Sequence, residues 1–211
     1  MAVTCIRPWR DGAGGDSVRT GLTARTRQVR QAQTGDDAPV RPTEAGRYDV
    51  RPARTGDVPA IRALVQPLAA RRVLVNKDAV AYYEGLQQFV VAQQGAGDVV
   101  GCGALHVLWD DLAEVRTLAV APDRLGRGIG GRVLERLLDD ARDLGAHRVF
   151  CLTFEVDFFA RHGFEVIDGT PVEPAVYAEL LRSYDEGVAE FLDLDRVKPN
   201  TLGNTRMLRR L

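Results

Sequence analysis

The sequence is poor in cysteine and carries no excess of charge, and both shortages narrow the class of protein. Its three cysteines, Cys5, Cys102 and Cys151, are far apart, odd in number and form no CxxC pair. This pattern favours buried free thiols in a reducing cytosol, so we expect a cytoplasmic protein without a metal site. The formal net charge is −1. Since nucleic-acid binders carry a strong basic excess, we expect no nucleic-acid partner.

Long apolar runs are also missing. No stretch approaches the roughly 18 apolar residues of a membrane helix, so no membrane partner is expected. Residues 1–46 are rich in Gly, Arg, Thr, Gln and Asp and poor in large aliphatics. Such a segment buries too little apolar surface to offset the entropy of ordering it, and its acidic residues argue against a transit peptide. It is either a disordered leader or the product of a start codon placed too far upstream, and residues 47–211 are predicted to form one domain.

From residue 47 onward the hydrophobic period alternates between that of strands and that of helices. Strands are predicted at 48–51, 88–92, 99–109, 113–120, 149–153, 164–167 and 204–208. Helices are predicted at 59–68, 78–86, 129–144, 157–161 and within 174–194, with Leu144 on a buried face. Antiparallel strands followed by strand–helix–strand units indicate an α+β sheet with a parallel pair inside. The loop at 71–77 is expected to face the bound substrate.

The segment from Leu118 to Gly131 carries the strongest functional signal. A strand runs into a turn with glycines at 126, 128, 130 and 131, and the turn opens a long helix. The first N–H groups of a helix lack internal partners and are partly positive, and glycine lets them approach an anion closely. No Gly-Lys-Ser/Thr follows, and antiparallel strands precede the turn, so it is neither a P-loop nor a dinucleotide fingerprint. It is suited to a diphosphate.

Two motifs resemble the GNAT superfamily of N-acetyltransferases. Leu-Ala-Val-Ala-Pro122 followed by Gly126-Arg-Gly-Ile-Gly130 resembles the superfamily's motif A, and Phe158-Phe-Ala-Arg-His-Gly-Phe164 resembles a later motif. The resemblance implies a mixed, mostly antiparallel sheet with flanking helices. It also implies a bulge in the strand bearing Leu118 and Val120, which splays that strand from the strand bearing Leu152 and opens the sheet into a V. It also implies acetyl-CoA as co-substrate, with the pantetheine arm in the V and the pyrophosphate on the turn amides. The implied cofactor-binding residues are Leu118, Ala119, Val120, Leu125, Gly126, Arg127, Gly128, Ile129, Gly130 and Gly131.

One position departs from the pattern of the superfamily. Leu125 stands where an Arg or Gln usually precedes the first glycine. The grip on phosphate should therefore rely on backbone amides more than on a side chain.

A narrower resemblance concerns the acceptor. The segments 114–120 and 149–154 are similar to the acetyltransferase domain of N-acetylglutamate synthases, and the segments 182–191 and 198–208 resemble the short, single-domain version of that enzyme. This implies an amino-acid N-acetyltransferase that acetylates the α-amine of L-glutamate or L-glutamine, the first step of arginine biosynthesis. It is also compatible with a homodimer paired through C-terminal strands. The alternatives are a GNAT enzyme for another small amine or a protein N-terminus, which an acidic groove would favour, and a non-catalytic acyl-CoA-binding module.

Two residues are candidates for the chemistry of acetyl transfer. By strand alternation, Glu114 shares a face with Leu118 and can reach the amine, and the resemblance also makes it the general base. Thr153 ends the strand across the V, where its hydroxyl can assist the thiolate. A tyrosine that many relatives use as general acid is replaced by Phe159. His106 is isolated from the cysteines and from the other histidines, which favours a solvated or packing role.

The resemblance also indicates how the substrate carboxylate is held. Lys77 and Thr205 match a cation and a hydroxyl with which N-acetylglutamate synthases bind it. Those enzymes have an arginine where this chain has Gly203, and Asn204 or Arg206 is expected to fill that gap. Arg116 is a further candidate for a substrate contact.

Overall fold

The structure is a computed structural model, and it describes residues 2–3, 48–70, 77–95, 97–201 and 203–211. The predicted leader, apart from residues 2–3, and the loop at 71–76 lie outside the described residues. The strands are β1 (Ala2–Val3), β2 (Tyr48–Pro52), β3 (Phe89–Gln94), β4 (Asp98–Trp109), β5 (Leu112–Val120), β6 (Arg148–Thr153), β7 (Glu165–Val166) and β8 (Thr205–Arg210). The helices are α1 (Val58–Ala70), α2 (Ala79–Glu84), α3 (Ile129–Asp143), α4 (Val156–Arg161), α5 (Pro174–Leu180), α6 (Glu186–Phe191) and α7 (Lys198–Thr201).

One mixed sheet organises the fold, in the order β2-β3-β4-β5-β6-β8-β7. Within this order, β5 and β6 are the parallel neighbours, and the other pairs are antiparallel. The β5–β6 pairing ends at Glu114 and Phe150, although both strands continue. The two strands therefore part, which confirms the predicted V. The two-residue strand β1 lies inside this opening, where it pairs in parallel with Leu152 and Thr153 of β6.

A bulge divides β5 into two registers. The pairing with β4 skips from Thr117 to Val115, so that Arg116 is the extra residue. Leu118 and Val115 consequently belong to the same core cluster, and Glu114, next to Val115, points to the other face. The prediction that Glu114 and Leu118 share a face was wrong, because strict alternation does not hold across a bulge.

Helix α3 covers the face of the sheet to which Leu118 points. Two glycines of β4 allow its close approach: a Cβ on Gly103 would lie 2.7 Å from Val133 Cγ1, and one on Gly101 would lie 2.9 Å from Ile129 Cγ2. The buried residues of α3 include Val133, Leu134, Leu137, Leu138 and Ala141, as predicted. Leu144 does not join them. It is the C-cap of α3 and is 63% exposed.

The face to which Glu114 points is covered in two parts. Helices α1 and α2 pack over β3 and β4, whereas α5 and α6 pack over β6 and β8. Phe191 of α6 meets Phe150 of β6 edge to face, with ring centroids 5.0 Å apart. This contact anchors the end of α6 on β6, and the start of α6 is tied to β5 by hydrogen bonds between Asp185 and Arg116.

Candidate active site

A cleft of about 550 Å³ lies where β5 turns into α3. It is lined by the Gly-rich turn, by the first turns of α3 and by α4, and it gathers three arginines and a histidine. The lining consists of Val120, Arg124, Leu125, Gly126, Gly128, Ile129, Gly130, Gly131, Arg132, Glu135, Glu155, Phe158, Arg161 and His162. A cleft with this excess of cations suits an anionic ligand.

Two glycines of the turn adopt the left-handed backbone conformation. Gly126 has φ +76° and Gly128 has φ +77°, and Gly128 is the N-cap of α3. The first α3 residue whose N–H closes a helical bond is Arg132, which donates to the Gly128 carbonyl at 3.2 Å. The N–H groups of residues 129–131 therefore have no intrahelical acceptor. This end of α3 fits the diphosphate that the sequence predicts.

Gly128→Ala should weaken the binding of CoA. A Cβ there meets no atom within 4 Å, so the cost is the left-handed conformation itself, about 1–2 kcal/mol. We expect the Kd for CoA, measured by calorimetry, to rise about 5- to 30-fold. Gly56→Ala is the matched control, since Gly56 also has open space but is remote from the cleft. An unchanged Kd in Gly128→Ala would contradict a role of this turn in holding CoA.

Not every predicted cofactor residue lines the cleft with its side chain. Leu118 and Ala119 are fully buried in the core, and Arg127 is exposed and outside the lining. What Leu118 and Ala119 can offer a ligand is their backbone, because this part of β5 lies beyond its pairing with β6. A pantetheine arm lying against the facing edge of β6 would replace Ala2–Val3.

Glu114 lies at the point where β5 and β6 part. It is fully buried, and its Oε2 accepts a hydrogen bond from Arg116 Nε at 2.8 Å. Its Oε1 is buried and accepts no hydrogen bond from the described residues. One oxygen is thus held in place, and the other has no hydrogen-bond partner among the described residues.

Arg116 joins Glu114 to the C-terminal part of the chain. Its Nη1 and Nη2 donate to Asp185 at 2.9 and 2.6 Å, a bidentate pair. Burial would lower the pKa of Arg116, but the charges of Glu114 and Asp185 more than compensate and raise it. Burial would likewise raise the pKa of Asp185, but Arg116 outweighs it and brings the pKa to about 2. Arg116 is therefore occupied inside the protein, a role different from the predicted substrate contact.

Two further titratable groups lie within electrostatic reach of Glu114. Burial lowers the pKa of the half-buried Lys77, and the charge of Arg116 lowers it further, while Asp185 and Glu114 act in the opposite sense. Burial and Arg116 also lower the pKa of His106, which pairs with Glu114 across the β4–β5 ladder. Within the described residues the Lys77 ammonium has no carboxylate within ion-pair distance, so its charge is available to a ligand.

Thr153 and Thr205 are neighbours at the other side of the V. Thr153 is fully buried, and its Oγ1 accepts a hydrogen bond from the Glu155 N–H at 2.9 Å. Thr205 pairs with Thr153 in the β6–β8 ladder, so the two share a face. That face is opposite to the face of Glu114, since Glu114 pairs with Phe150, three residues before Thr153. Asn204 directly precedes β8 and is partly buried.

Arg206 is engaged by the backbone around α6. Its three guanidinium nitrogens donate to the carbonyls of Gly169, Glu190 and Phe191, and the guanidinium stacks 4.9 Å above the centre of the Phe150 ring. Burial lowers the pKa of Arg206. These contacts indicate that Arg206 fixes α6 against β8, which differs from the predicted contact with the substrate.

Comparison with known proteins decides the family. Residues 64–164 match the Acetyltransferase (GNAT) family. The chain is 60% identical over 161 residues to an amino-acid acetyltransferase of Mycobacterium tuberculosis, covering 75% of this chain and 92% of the relative. The chain belongs to the GNAT acetyltransferase family. As the sequence predicted, this GNAT domain is an acyltransferase.

Solved structures agree with the GNAT fold. The crystal structure of Rv2747 from Mycobacterium tuberculosis, in complex with CoA, has a TM-score of 0.75 at 59% identity and covers 77% of this chain and 99% of that protein. An N-acetylglutamate synthase from Neisseria gonorrhoeae, complexed with CoA and N-acetyl-glutamate, has a TM-score of 0.62 at 25% identity. The match covers 78% of this chain but 35% of the Neisseria enzyme. The matched part of this chain therefore spans nearly all of the mycobacterial protein but about a third of the Neisseria enzyme.

Asp185 and Gly187 are site residues that the sequence did not reveal. Asp185 has a local signal in the sequence because it is the N-cap of α6. Its carboxylate accepts a hydrogen bond from the Val188 N–H at 2.9 Å. That signal indicates a helix start and says nothing of Arg116, which is 69 residues away along the chain. Gly187 lies against the Arg116 guanidinium, and a Cβ there would be 2.6 Å from its Cζ.

Two absences concern the described residues. Among them, no group of three or more His, Cys, Asp or Glu side chains is placed to hold a metal ion. No helix within the same ranges is long and apolar enough to cross a membrane. Cys102 and Cys151 are free and buried, as predicted, and burial raises the pKa of the Cys102 thiol to about 12.

Proposed function

We propose that this GNAT enzyme transfers an acetyl group from acetyl-CoA to the α-amine of L-glutamate or L-glutamine. The observation that carries the proposal is Glu114, a buried carboxylate with one unengaged oxygen where β5 and β6 part. An amine placed there can lose a proton to Oε1 while Arg116 holds Oε2. The mycobacterial amino-acid acetyltransferase, 60% identical, supports the amino-acid class of acceptor.

The two substrates would approach from opposite faces of the sheet. The cleft at the turn and Thr153 lie on the α3 side, whereas Glu114 points to the α6 side. The amine nitrogen attacks the thioester carbonyl, forming the C–N bond, and its proton passes to Glu114. The C–S bond then breaks, and the CoA thiolate leaves and takes up a proton. The Thr153 hydroxyl is the group proposed to assist that thiolate, since Phe159 has no phenol.

Lys77 is the cation proposed to hold the carboxylate of the amino acid. Arg116 and Arg206 are occupied by internal partners, while Lys77 is half-buried within electrostatic reach of Glu114. An α-amine at Glu114 with its carboxylate toward Lys77 gives a recognition scheme for a free amino acid. Thr205 and Asn204 stay predicted contacts of the substrate, although Thr205 lies on the face opposite to Glu114, the side from which CoA would approach. A place in arginine biosynthesis, a cytoplasmic location and a homodimer also stay predictions.

Release of the CoA thiol tests the reaction. The enzyme should release thiol with acetyl-CoA in the presence of glutamate or glutamine, and more slowly with amino-acid amides that lack the α-carboxylate. Turnover confined to polyamines or to peptide N-termini would replace the proposed acceptor by another amine. Tight CoA binding without thiol release for any amine would identify a binding module instead.

Lys77→Gln should raise the KM for the amino acid selectively. A hydrogen bond to a charged group contributes about 1.5–3 kcal/mol, so the increase should be about 10- to 100-fold. The KM for acetyl-CoA should not change. Lys198→Gln is a matched control, because Lys198 is paired with Asp193 at the surface. If Lys77→Gln leaves the KM for the amino acid unchanged, Lys77 does not hold the carboxylate.

A further inference from the structure

Three charged side chains, Asp185, Arg116 and Glu114, form a hydrogen-bonded network between the start of α6 and β5. Asp185 binds Arg116 by two hydrogen bonds, and Arg116 binds Glu114 by a third. Arg116 is 3% exposed and Glu114 is fully buried. Buried ions need well-placed partners, because breaking such a pair leaves an uncompensated charge. The arrangement therefore constrains Glu114 strongly.

The bulge of β5 creates the geometry of this network. Arg116 is the residue left without a partner in the β4–β5 ladder. It is two residues from Glu114 and on the same side of the strand, so its Nε reaches Oε2 at 2.8 Å. The planar guanidinium then offers its other edge to Asp185. One side chain thereby holds Glu114 through Oε2 and leaves Oε1 without a hydrogen bond from the described residues.

Helix α6 supplies the other end. The Asp185 carboxylate accepts from the Val188 N–H as N-cap and from both Arg116 Nη atoms, so its position follows that of the helix. Gly187, in the first turn of α6, leaves the space into which the guanidinium fits. A Cβ on Gly187 would lie 2.6 Å from Arg116 Cζ and Nη2 and 2.8 Å from Nε. Two features of α6 thus set where Arg116 lies.

We infer that Asp185 and Gly187 are positioning residues for the general base: through Arg116 they hold Glu114 with Oε2 occupied and Oε1 ready to accept the proton of the amine. The negative charge of Asp185 also offsets part of the Arg116 charge that faces Glu114. A carboxylate facing an unshared guanidinium holds a proton less well. This assignment rests on the proposed function and concerns its proton-transfer step.

Asp185→Asn tests the role of the charge. Asn is an equally good N-cap and keeps an oxygen acceptor, so α6 should persist. We expect kcat with saturating substrates to fall about 10- to 100-fold, as for a misplaced catalytic group, with the KM for acetyl-CoA unchanged. The acidic limb of the kcat–pH profile should move to lower pH, because Arg116 then acts on Glu114 alone. Asp185→Glu, which restores the charge, should bring the limb back toward wild type.

Gly187→Ala tests the space for the guanidinium. Alanine is favoured over glycine in a helix by roughly 1 kcal/mol, so the folded protein should not be lost. The kcat should nevertheless fall, because the methyl group displaces Arg116. The matched control for Asp185→Asn is Asp195→Asn, at an exposed aspartate of the same C-terminal region, which should behave as wild type.

The other charged groups around Glu114 have to be separated from this effect. Those within electrostatic reach are Lys77, His106, Arg116, Asp185 and Arg206, together with the thiol of Cys151. Of these residue types, histidine is the one whose unperturbed pKa lies nearest to neutral pH. The pH profiles are therefore repeated in a His106→Gln background, in which the acidic limb should still move on Asp185→Asn.

The outcomes are distinct. If wild type turns over but Asp185→Asn and Gly187→Ala keep its kcat and pH profile, the positioning role is overturned and the proposed function stands. A limb that moves to higher pH in Asp185→Asn also overturns it. If wild type releases no thiol with any amino acid, the proposed function fails and the positioning role fails with it.

Discussion

Glu114→Gln should lower kcat by about 10²- to 10⁴-fold, the loss expected when a general base is removed. Glutamine has the shape of glutamate, and its carbonyl oxygen can still accept from Arg116 Nε, which lies 2.8 Å from Oε2. Its amide nitrogen then occupies the position of Oε1, where it can donate a hydrogen bond but cannot take a proton. The KM for acetyl-CoA should change little, because the cleft at the Gly-rich turn does not include Glu114.

Steady-state thiol release, with glutamate and glutamine each saturating, measures this effect. Glu179→Gln is the matched control, since Glu179, on α5, is exposed and forms an ion pair with Arg182. A thermal melt of each variant separates loss of the base from loss of the fold. A folded Glu114→Gln variant with the kcat of wild type would remove Glu114 from the proton transfer.

Phe159→Ala should lower the free energy of unfolding by about 3–5 kcal/mol, the range for a large aromatic deleted from a core. Phe159 is fully buried and meets Phe158 and Phe164 edge to face, each with ring centroids 5.1 Å apart. Such pairs add to the burial of apolar surface. The ring packs in the cluster shared by β5 and α3, so the cavity would lie beside the cleft.

Urea denaturation followed by circular dichroism measures this loss. Tyr184→Ala is the control: Tyr184 is 99% exposed, and its removal should change the unfolding free energy by no more than about 0.5 kcal/mol. A loss below about 1 kcal/mol in Phe159→Ala would mean that the site collapses around the smaller side chain, contrary to a rigid core.

The predicted elements held where the pattern was local and regular. The strands around β3 to β6 and helix α3 lie within a few residues of the predicted bounds. Their apolar residues repeat every second residue in the strands and every three to four residues in the helix. That period alone indicates whether the segment forms a strand or a helix. The glycines at 126 and 128 adopt a left-handed φ that is open to few other residues, and their predicted role in letting the amides approach an anion stays a prediction.

The prediction failed where one residue breaks the pattern. Strict alternation placed Glu114 with Leu118, but the bulge at Arg116 reverses the faces beyond it. The family resemblance implies a bulge in this strand, but nothing in Glu-Val-Arg-Thr-Leu gives its position, because any of these residues can be the extra one. Leu144 failed for a related reason: the helical period continues through it, although the helix has already ended at its C-cap.

The sequence by itself determined the fold class, the V between β5 and β6 through its family resemblance, and the Gly-rich turn at the start of α3. These features depend on patterns that lie within a few consecutive residues. Tertiary structure alone decided which charged side chains have partners inside the protein. It engaged Arg116 and Arg206 with internal partners, left Lys77 available, and brought Asp185 to a side chain 69 residues away. Such pairings depend on how helices and strands pack, and packing is a property of the whole chain.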